Sequence, residues 1–394
     1  MRDIAHRVAY LKGSPIRRVT SLLEAAKEKK GIISFAGGAP SLPPPIELQE
    51  EAKRVANDID SYKYGSTQGN LQLREAISND LKSKSLDYSP SQICITSGCT
   101  EAIILGMLAL LDPGDEIVIF DPAYIGYPEP LKMFGARLRW VTSNVDRGFQ
   151  PDHEVLDKVV TKWTKAIIVI SPDNPTGRVL TKDSTKYLAD LAEDRGSWIM
   201  FDETYRDIIY GKTKHHFMAH SAPNSTVGCF SFSKCASVPG LRLGYVYGPQ
   251  NVINAIEKLQ QYMILCPDTY MQKVMVKFFE GNIAGNYIKK TVLPTYTERR
   301  DMMAKALKKY LPKAKFTIPE GAFYYFPDMS AYMGKMNEDQ FCTSLLERAQ
   351  VAVVPGNYFG DAGKRHIRMT FVSEPMERIE EGVARMAKFV GETQ

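Results

Sequence analysis

A lysine that emerges from a buried strand end is partly desolvated, which lowers its proton affinity and makes the amine a nucleophile toward carbonyl carbon. Lys234 stands in that setting, in Ser231-Phe232-Ser233-Lys234, directly after the apolar run Thr226 to Ser231. Most loop lysines merely face solvent, so its neighbours carry the case. Eight residues on, Arg242 lies in Gly240-Leu241-Arg242-Leu243-Gly244-Tyr245. With the Ser231 and Ser233 hydroxyls it makes a clamp for a dianionic phosphate, although the serines equally suit turn capping. Gly98-Cys99-Thr100, where strand gives way to helix, adds free backbone N–H groups and the positive end of a helix dipole.

Asp202 closes the run Trp198-Ile199-Met200-Phe201 and would sit at the mouth of a buried strand. A carboxylate there needs a cationic partner, and a protonated heteroaromatic nitrogen fits; a helix N-cap is the plainer alternative. Tyr205 and the amide of Asn174, in Asn174-Pro175-Thr176-Gly177, could both reach an oxygen on that ring, while the Asn174 segment also reads simply as a turn. Tyr124 could stack on the ring or serve ordinary packing.

Positioning these groups requires a particular scaffold. Ile93 to Thr96, Glu116 to Phe120, Arg137 to Val141, Ala166 to Ile170, Trp198 to Asp202, Thr226 to Ser231 and Leu243 to Gly248 read as strands. Helical segments such as Thr100 to Leu111 and Lys182 to Arg195 separate them. This alternation predicts an α/β fold with a doubly wound, mostly parallel seven-stranded sheet. In such sheets functional residues gather beyond the carboxyl ends of the strands, where all the groups above fall. Val252 to Phe279 reads as a long helix broken near Pro267. Tyr287 to Tyr310 reads as helical and Ala322 to Phe326 as strand-like. The expected division is a large unit over 46–280 and a smaller α/β unit made from both termini, 1–45 and 281–394.

The set Asn174-Pro175-Thr176-Gly177, Asp202-Glu203-Thr204-Tyr205, Ser231-Phe232-Ser233-Lys234 and Arg242 resembles the fold-type I, class I/II aminotransferases, which depend on pyridoxal 5′-phosphate. The similarity runs from Gly37-Gly38-Ala39-Pro40 to His366-Ile367-Arg368. It implies that Lys234 is the Schiff-base lysine and Asp202 the partner of the pyridine nitrogen. Asn174 and Tyr205 would bind the ring oxygen and Tyr124 would stack. Gly98, Cys99, Thr100, Ser231, Ser233 and Arg242 would hold the phosphate. The family further implies a homodimer with sites at the subunit interface, where Tyr64 would reach the other subunit's phosphate. Arg368 would grip the substrate α-carboxylate, a contact that suits a planar guanidinium far better than an ammonium; without the resemblance it could as well be a surface residue. Gly38 and Asn174 would also face the substrate.

Two departures stand out: Tyr124 where many aspartate-type enzymes carry Trp, and Cys99 where a small glycine or serine is usual. The first weighs against aspartate, and Gly37-Gly38-Ala39-Pro40 resembles the aminoadipate, kynurenine and broad-specificity branch. Aromatic or long-chain donors with 2-oxoglutarate as acceptor are therefore expected. Tyr10, Tyr127, Tyr262, Tyr270, Phe323 and Tyr324 could line a hydrophobic pocket or belong to the core. Arg17 and Arg18 could read an acidic side chain or face solvent.

At 394 residues, 44% hydrophobic and 24% charged, the chain can bury a large core without disulfide or metal staples. A net charge of +5, spread rather than clustered, argues against nucleic acid as a partner. Residues 1 to 30 are too few for the DNA-binding module that a regulator on this scaffold would add. The six cysteines form no Cys-x-x-Cys pair, so no metal site is expected. No signal core or membrane-spanning run is evident, which suggests a cytoplasmic enzyme. A β-lyase or decarboxylase on the same scaffold is the nearest alternative, because fold and cofactor leave the reaction outcome open.

Overall fold

The computed structural model describes residues 4–9, 11, 13 and 31–393. Tyr10, Arg17 and Arg18 lie outside the described residues. Seven strands form the main sheet: β1 (Ile93–Thr96), β2 (Glu116–Asp121), β3 (Arg137–Thr142), β4 (Thr164–Ile170), β5 (Trp198–Asp202), β6 (Thr226–Ser231) and β7 (Gly244–Tyr247). Their order across the sheet is β1-β7-β6-β5-β4-β2-β3. Only β7 runs antiparallel to its neighbours β1 and β6. The other pairings are parallel, so the doubly wound expectation holds.

The apolar runs are continuous because both faces of the sheet are covered. Successive side chains point to opposite faces. Ile117, Ile119 and Ile168 pack with Ala102, Leu105 and Ile256 on one side. Val118, Phe120, Ile167 and Val169 pack with Leu156, Leu188 and Ala192 on the other. Helices Cys99–Leu110 and Gln250–Met263 cover the first face, and His153–Val159 and Lys182–Arg195 the second. β3 departs from this pattern: as an edge strand it buries Val141 and leaves Arg137, Arg139 and Trp140 exposed.

The break near Pro267 appears as two helices, Gln250–Met263 and Thr269–Phe279. The expected helix from Tyr287 becomes a π-helical turn at Ile288–Val292 followed by Leu293–Tyr310. Of the strand expected over Ala322 to Phe326, Tyr324–Tyr325 pairs. It joins a three-stranded antiparallel sheet in which Ile367–Thr370 is the middle strand, flanked by Val354–Pro355. A separate core gathers Ile33 and Phe35 with Val292, Leu307, Ile367, Val383 and other residues of the C-terminal third. No helix among the described residues is long and apolar enough to cross a membrane.

One glycine ties the sheet to the loop that follows β1. A Cβ on Gly244 would stand 2.5 Å from the Phe230 carbonyl oxygen, 2.8 Å from the Gly98 carbonyl carbon and 2.9 Å from the Cys99 nitrogen. These are backbone atoms that cannot swing aside. Gly244→Ala is expected to cost about 1–3 kcal/mol, as overpacking does, and to lower the midpoint of a thermal melt. It should also weaken anion binding at Gly98-Cys99-Thr100, which a phosphate titration monitored by melting temperature checks.

Candidate active site

The carboxyl ends of β1, β2, β4, β5 and β6 lie along one edge of the sheet, since Thr96, Gly244 and Ser231 are in register there. Beyond that edge is a cavity of about 230 Å³. Its walls include Gly38, Cys99, Thr100, Tyr124, Asn174, Asp202, Tyr205, Ser231, Ser233, Lys234, Arg242 and Arg368. These are all residues that the sequence singles out. Gly98 stands just outside, with its φ of +82° at the start of helix Cys99–Leu110. A Cβ there would meet an Arg242 nitrogen at 2.7 Å, so glycine lets the guanidinium approach the loop.

Lys234 lies within the one-turn helix Phe232–Cys235, whose N-cap is Ser231. The serine does cap, accepting from the Ser233 N–H at 3.2 Å, and its hydroxyl also meets that of Ser233 at 2.9 Å within the cavity. Lys234 Nζ donates to the Gly38 carbonyl at 2.6 Å. Burial, aided by the charges of Arg368 and Arg242, brings its pKa down to about 8. Gly38, expected to face substrate, thus holds the lysine from across the cavity.

Asp202 is 5% exposed at the end of β5. Its Oδ1 accepts from the Thr204 N–H at 3.0 Å and from the Cys99 thiol at 3.6 Å; its Oδ2 accepts from the Tyr127 hydroxyl at 2.7 Å. Burial pushes its pKa up against the pull of these donors. Among the described residues no cation lies within ion-pairing distance of it. The Cys99 side chain turns to this carboxylate, and its backbone N–H, the group expected to meet a phosphate, opens helix Cys99–Leu110.

Arg368 is 1% exposed, in the middle strand of the small sheet rather than on a surface. Its guanidinium donates to Asn174 Oδ1 at 3.2 Å and to the Ala36 carbonyl at 2.9 Å. It lies over the Tyr324 ring, 4.5 Å from the centroid, and 5.2 Å from that of Phe359. Its Nε has no partner. A buried guanidinium with donors to spare has the geometry that suits a carboxylate. The hydroxyls of Tyr205 and Tyr324 meet at 2.9 Å.

In the single chain Tyr64, expected to reach the other subunit's phosphate, is 85% exposed and lines a separate surface hollow with Pro267 and Tyr270. Of the aromatic residues proposed for a pocket, Tyr324 lines it, while Phe323 is core and Tyr262 is 90% exposed. Tyr127 lies beneath the floor on Asp202. Its role was missed, although the Tyr124-x-x-Tyr127 spacing is visible: a turn with Tyr127 N–H on the Tyr124 carbonyl sets the rings edge to face, 5.3 Å apart.

Residues 30–386 match the family described as aminotransferase class I and II. The chain is 34% identical over 387 residues to an aspartate aminotransferase of Pyrococcus horikoshii, covering 96% of this chain and 97% of that one. It is 30% identical over 394 residues to aromatic-amino-acid aminotransferase 2 of Thermococcus litoralis, covering 99% and 98%. The structure of aspartate aminotransferase from Thermus thermophilus with maleate superposes with a TM-score of 0.93 at 30% identity, over 98% of this chain and 100% of that one. With a half-buried lysine and a buried carboxylate and arginine around one cavity in the same fold, the chain belongs to the class I and II aminotransferases and is a transaminase.

Proposed function

We propose that the cavity holds pyridoxal 5′-phosphate and moves an amino group from an aromatic or other long-chain donor, aminoadipate-like donors included, to 2-oxoglutarate. The observation that carries this reading is the unpaired charge demand of the site. Asp202 is buried without a cation, and a protonated ring nitrogen answers it; Arg242, the two serine hydroxyls and the start of helix Cys99–Leu110 answer a phosphate. When bound, the cofactor supplies an aldehyde that condenses with amines and a ring that accepts the electron pair left at Cα.

The chain's own residues do the rest. Arg368 orients the α-carboxylate, so that the Cα–H bond faces Lys234. Lys234 Nζ, its pKa brought down to about 8 by burial, takes the Cα proton and returns it one atom away as general base and acid. Asp202 keeps the ring nitrogen protonated by electrostatics. Tyr205 and Asn174 would hold the ring oxygen, and Tyr124 would stack on the ring.

The chain would divide into a large unit over 46–280 and a small one from 1–45 and 281–394, with the cavity between them. We further propose a homodimer. The exposed Ile59, Tyr62, Tyr64, Tyr262, Met263 and Leu265 supply an apolar surface for it. In that assembly Tyr64 would reach the phosphate of the partner's site.

The aromatic preference is supported by Tyr124 and Tyr324 in the walls. It is supported too by the cavity's cations, which among the described residues are Lys234, Arg242 and Arg368, each already given a task. A panel of amino donors with 2-oxoglutarate, read by keto-acid formation, is expected to rank phenylalanine and tyrosine above aspartate in kcat/KM. Reaction of aspartate alone would remove the substrate reading.

A further inference from the structure

Asp202 is held by more than its own strand. Its Oδ2 accepts from the Tyr127 hydroxyl at 2.7 Å and its Oδ1 from the Thr204 N–H and the Cys99 thiol; the Thr204 hydroxyl also donates to it, and Tyr124, Asp173, Cys229 and Lys234 stand near enough to feel its charge. Tyr127 is 2% exposed and Cys99 is 7% exposed, so neither hydrogen bond competes with bulk water. They come from different elements. Cys99 opens the helix after β1, and Tyr127 precedes helix Pro128–Met133, which follows β2. Tyr127 also props the Tyr124 ring edge to face. The Cys99 side chain points to that carboxylate.

We propose that Tyr127 and Cys99 are positioning residues that set how firmly Asp202 keeps its negative charge, and thereby how fully the cofactor's ring nitrogen stays protonated. This rests on the cofactor reading above. The argument is one of proton competition. Each donor spreads charge off the carboxylate and makes it a weaker base, so the shared proton remains on the ring nitrogen. Remove a donor and Asp202 draws that proton toward itself. A ring with less positive charge withdraws fewer electrons, and the Lys234 nitrogen joined to it titrates higher. A hydroxyl donates more strongly than a thiol, so the two donors are not interchangeable.

The test is a pH titration of the visible absorbance of the holoenzyme, beside cofactor affinity measured by adding pyridoxal phosphate to the cofactor-free protein. Tyr127→Phe is expected to raise the titration midpoint by about one pH unit and to weaken cofactor binding about tenfold, the scale of a lost hydrogen bond to a charged acceptor. Cys99→Ala should raise the midpoint by less, and Cys99→Ser should lower it. Opposite shifts at one position distinguish this from general loosening, which would move both the same way. Unmoved midpoints in Tyr127→Phe and both Cys99 variants, with a normal wild-type band, overturn the inference alone. Absence of any visible band in wild type on adding cofactor overturns the cofactor reading beneath it.

Discussion

Lys234→Ala should leave the protein folded and reduce transamination by at least about 10⁴-fold, the upper range for loss of a positioned acid–base group, with loss of the covalent anchor added. The substitution removes a half-buried amine that donates to the Gly38 carbonyl and lies 5.9 Å and 5.8 Å from the Tyr205 and Phe323 ring centroids, so little structural support goes with it. Burial and the charges of Arg368 and Arg242 favour the neutral amine at position 234, with a pKa of about 8. The neutral form is the nucleophile, and its fraction rises tenfold per pH unit below the pKa and levels off above it. Cofactor uptake by the cofactor-free wild type should therefore accelerate with pH up to about 8 and then flatten. Stopped-flow absorbance from pH 6 to pH 9.5 checks both statements: the variant should show no covalent phase at any pH. Turnover by Lys234→Ala within tenfold of wild type would rule out the assigned role.

The second large effect is expected at Arg368. Its guanidinium is fully enclosed, with two N–H groups spent on Asn174 and Ala36 and Nε unpartnered. Arg368→Lys keeps the charge but loses the planar fork, and an ammonium at this depth cannot replace both contacts and also meet a carboxylate. Breaking such a buried, charge-assisted contact typically costs about 2–5 kcal/mol, so kcat/KM for the amino donor should fall by about 10²–10³-fold or more. The loss should appear mainly as a raised KM, because a carboxylate that does not react is bound alike in ground and transition states. The visible spectrum of the cofactor should change little. Steady-state kinetics with an amino acid and with the corresponding amine, which lacks the carboxylate, provide the control: the amine should be turned over equally by both proteins. A parallel loss with the amine would show that Arg368 acts on the scaffold instead.

Several of these residues were legible in the order of the chain. Lys234, Asp202 and Asn174 each follow an uninterrupted apolar run, and such runs in a parallel sheet end at one edge. Any sequence with β-rich runs alternating with helices must therefore deliver these groups to a common crevice, whatever the details of packing. Gly98 and Arg242 follow from the same logic, one at a helix start and one a fixed distance beyond the lysine. Tyr64 marks where this reasoning stops. An exposed loop residue can be assigned to a site only through a second copy of the chain, and a single protomer leaves it 85% exposed.

What the sequence by itself determined was the set of strand ends and the chemistry standing on them, because apolar periodicity and strand-to-helix alternation dictate which segments are buried and in which direction they lead. Tertiary structure alone decided where side chains of like type turn. Tyr127 goes under the floor to Asp202 while Phe323 enters the core, the Cys99 thiol faces a carboxylate, Arg368 occupies a middle strand, and β7 runs against its neighbours. These choices depend on contacts between residues far apart in the chain, such as Arg368 with Asn174 and Ala36, and local spacing holds no record of them.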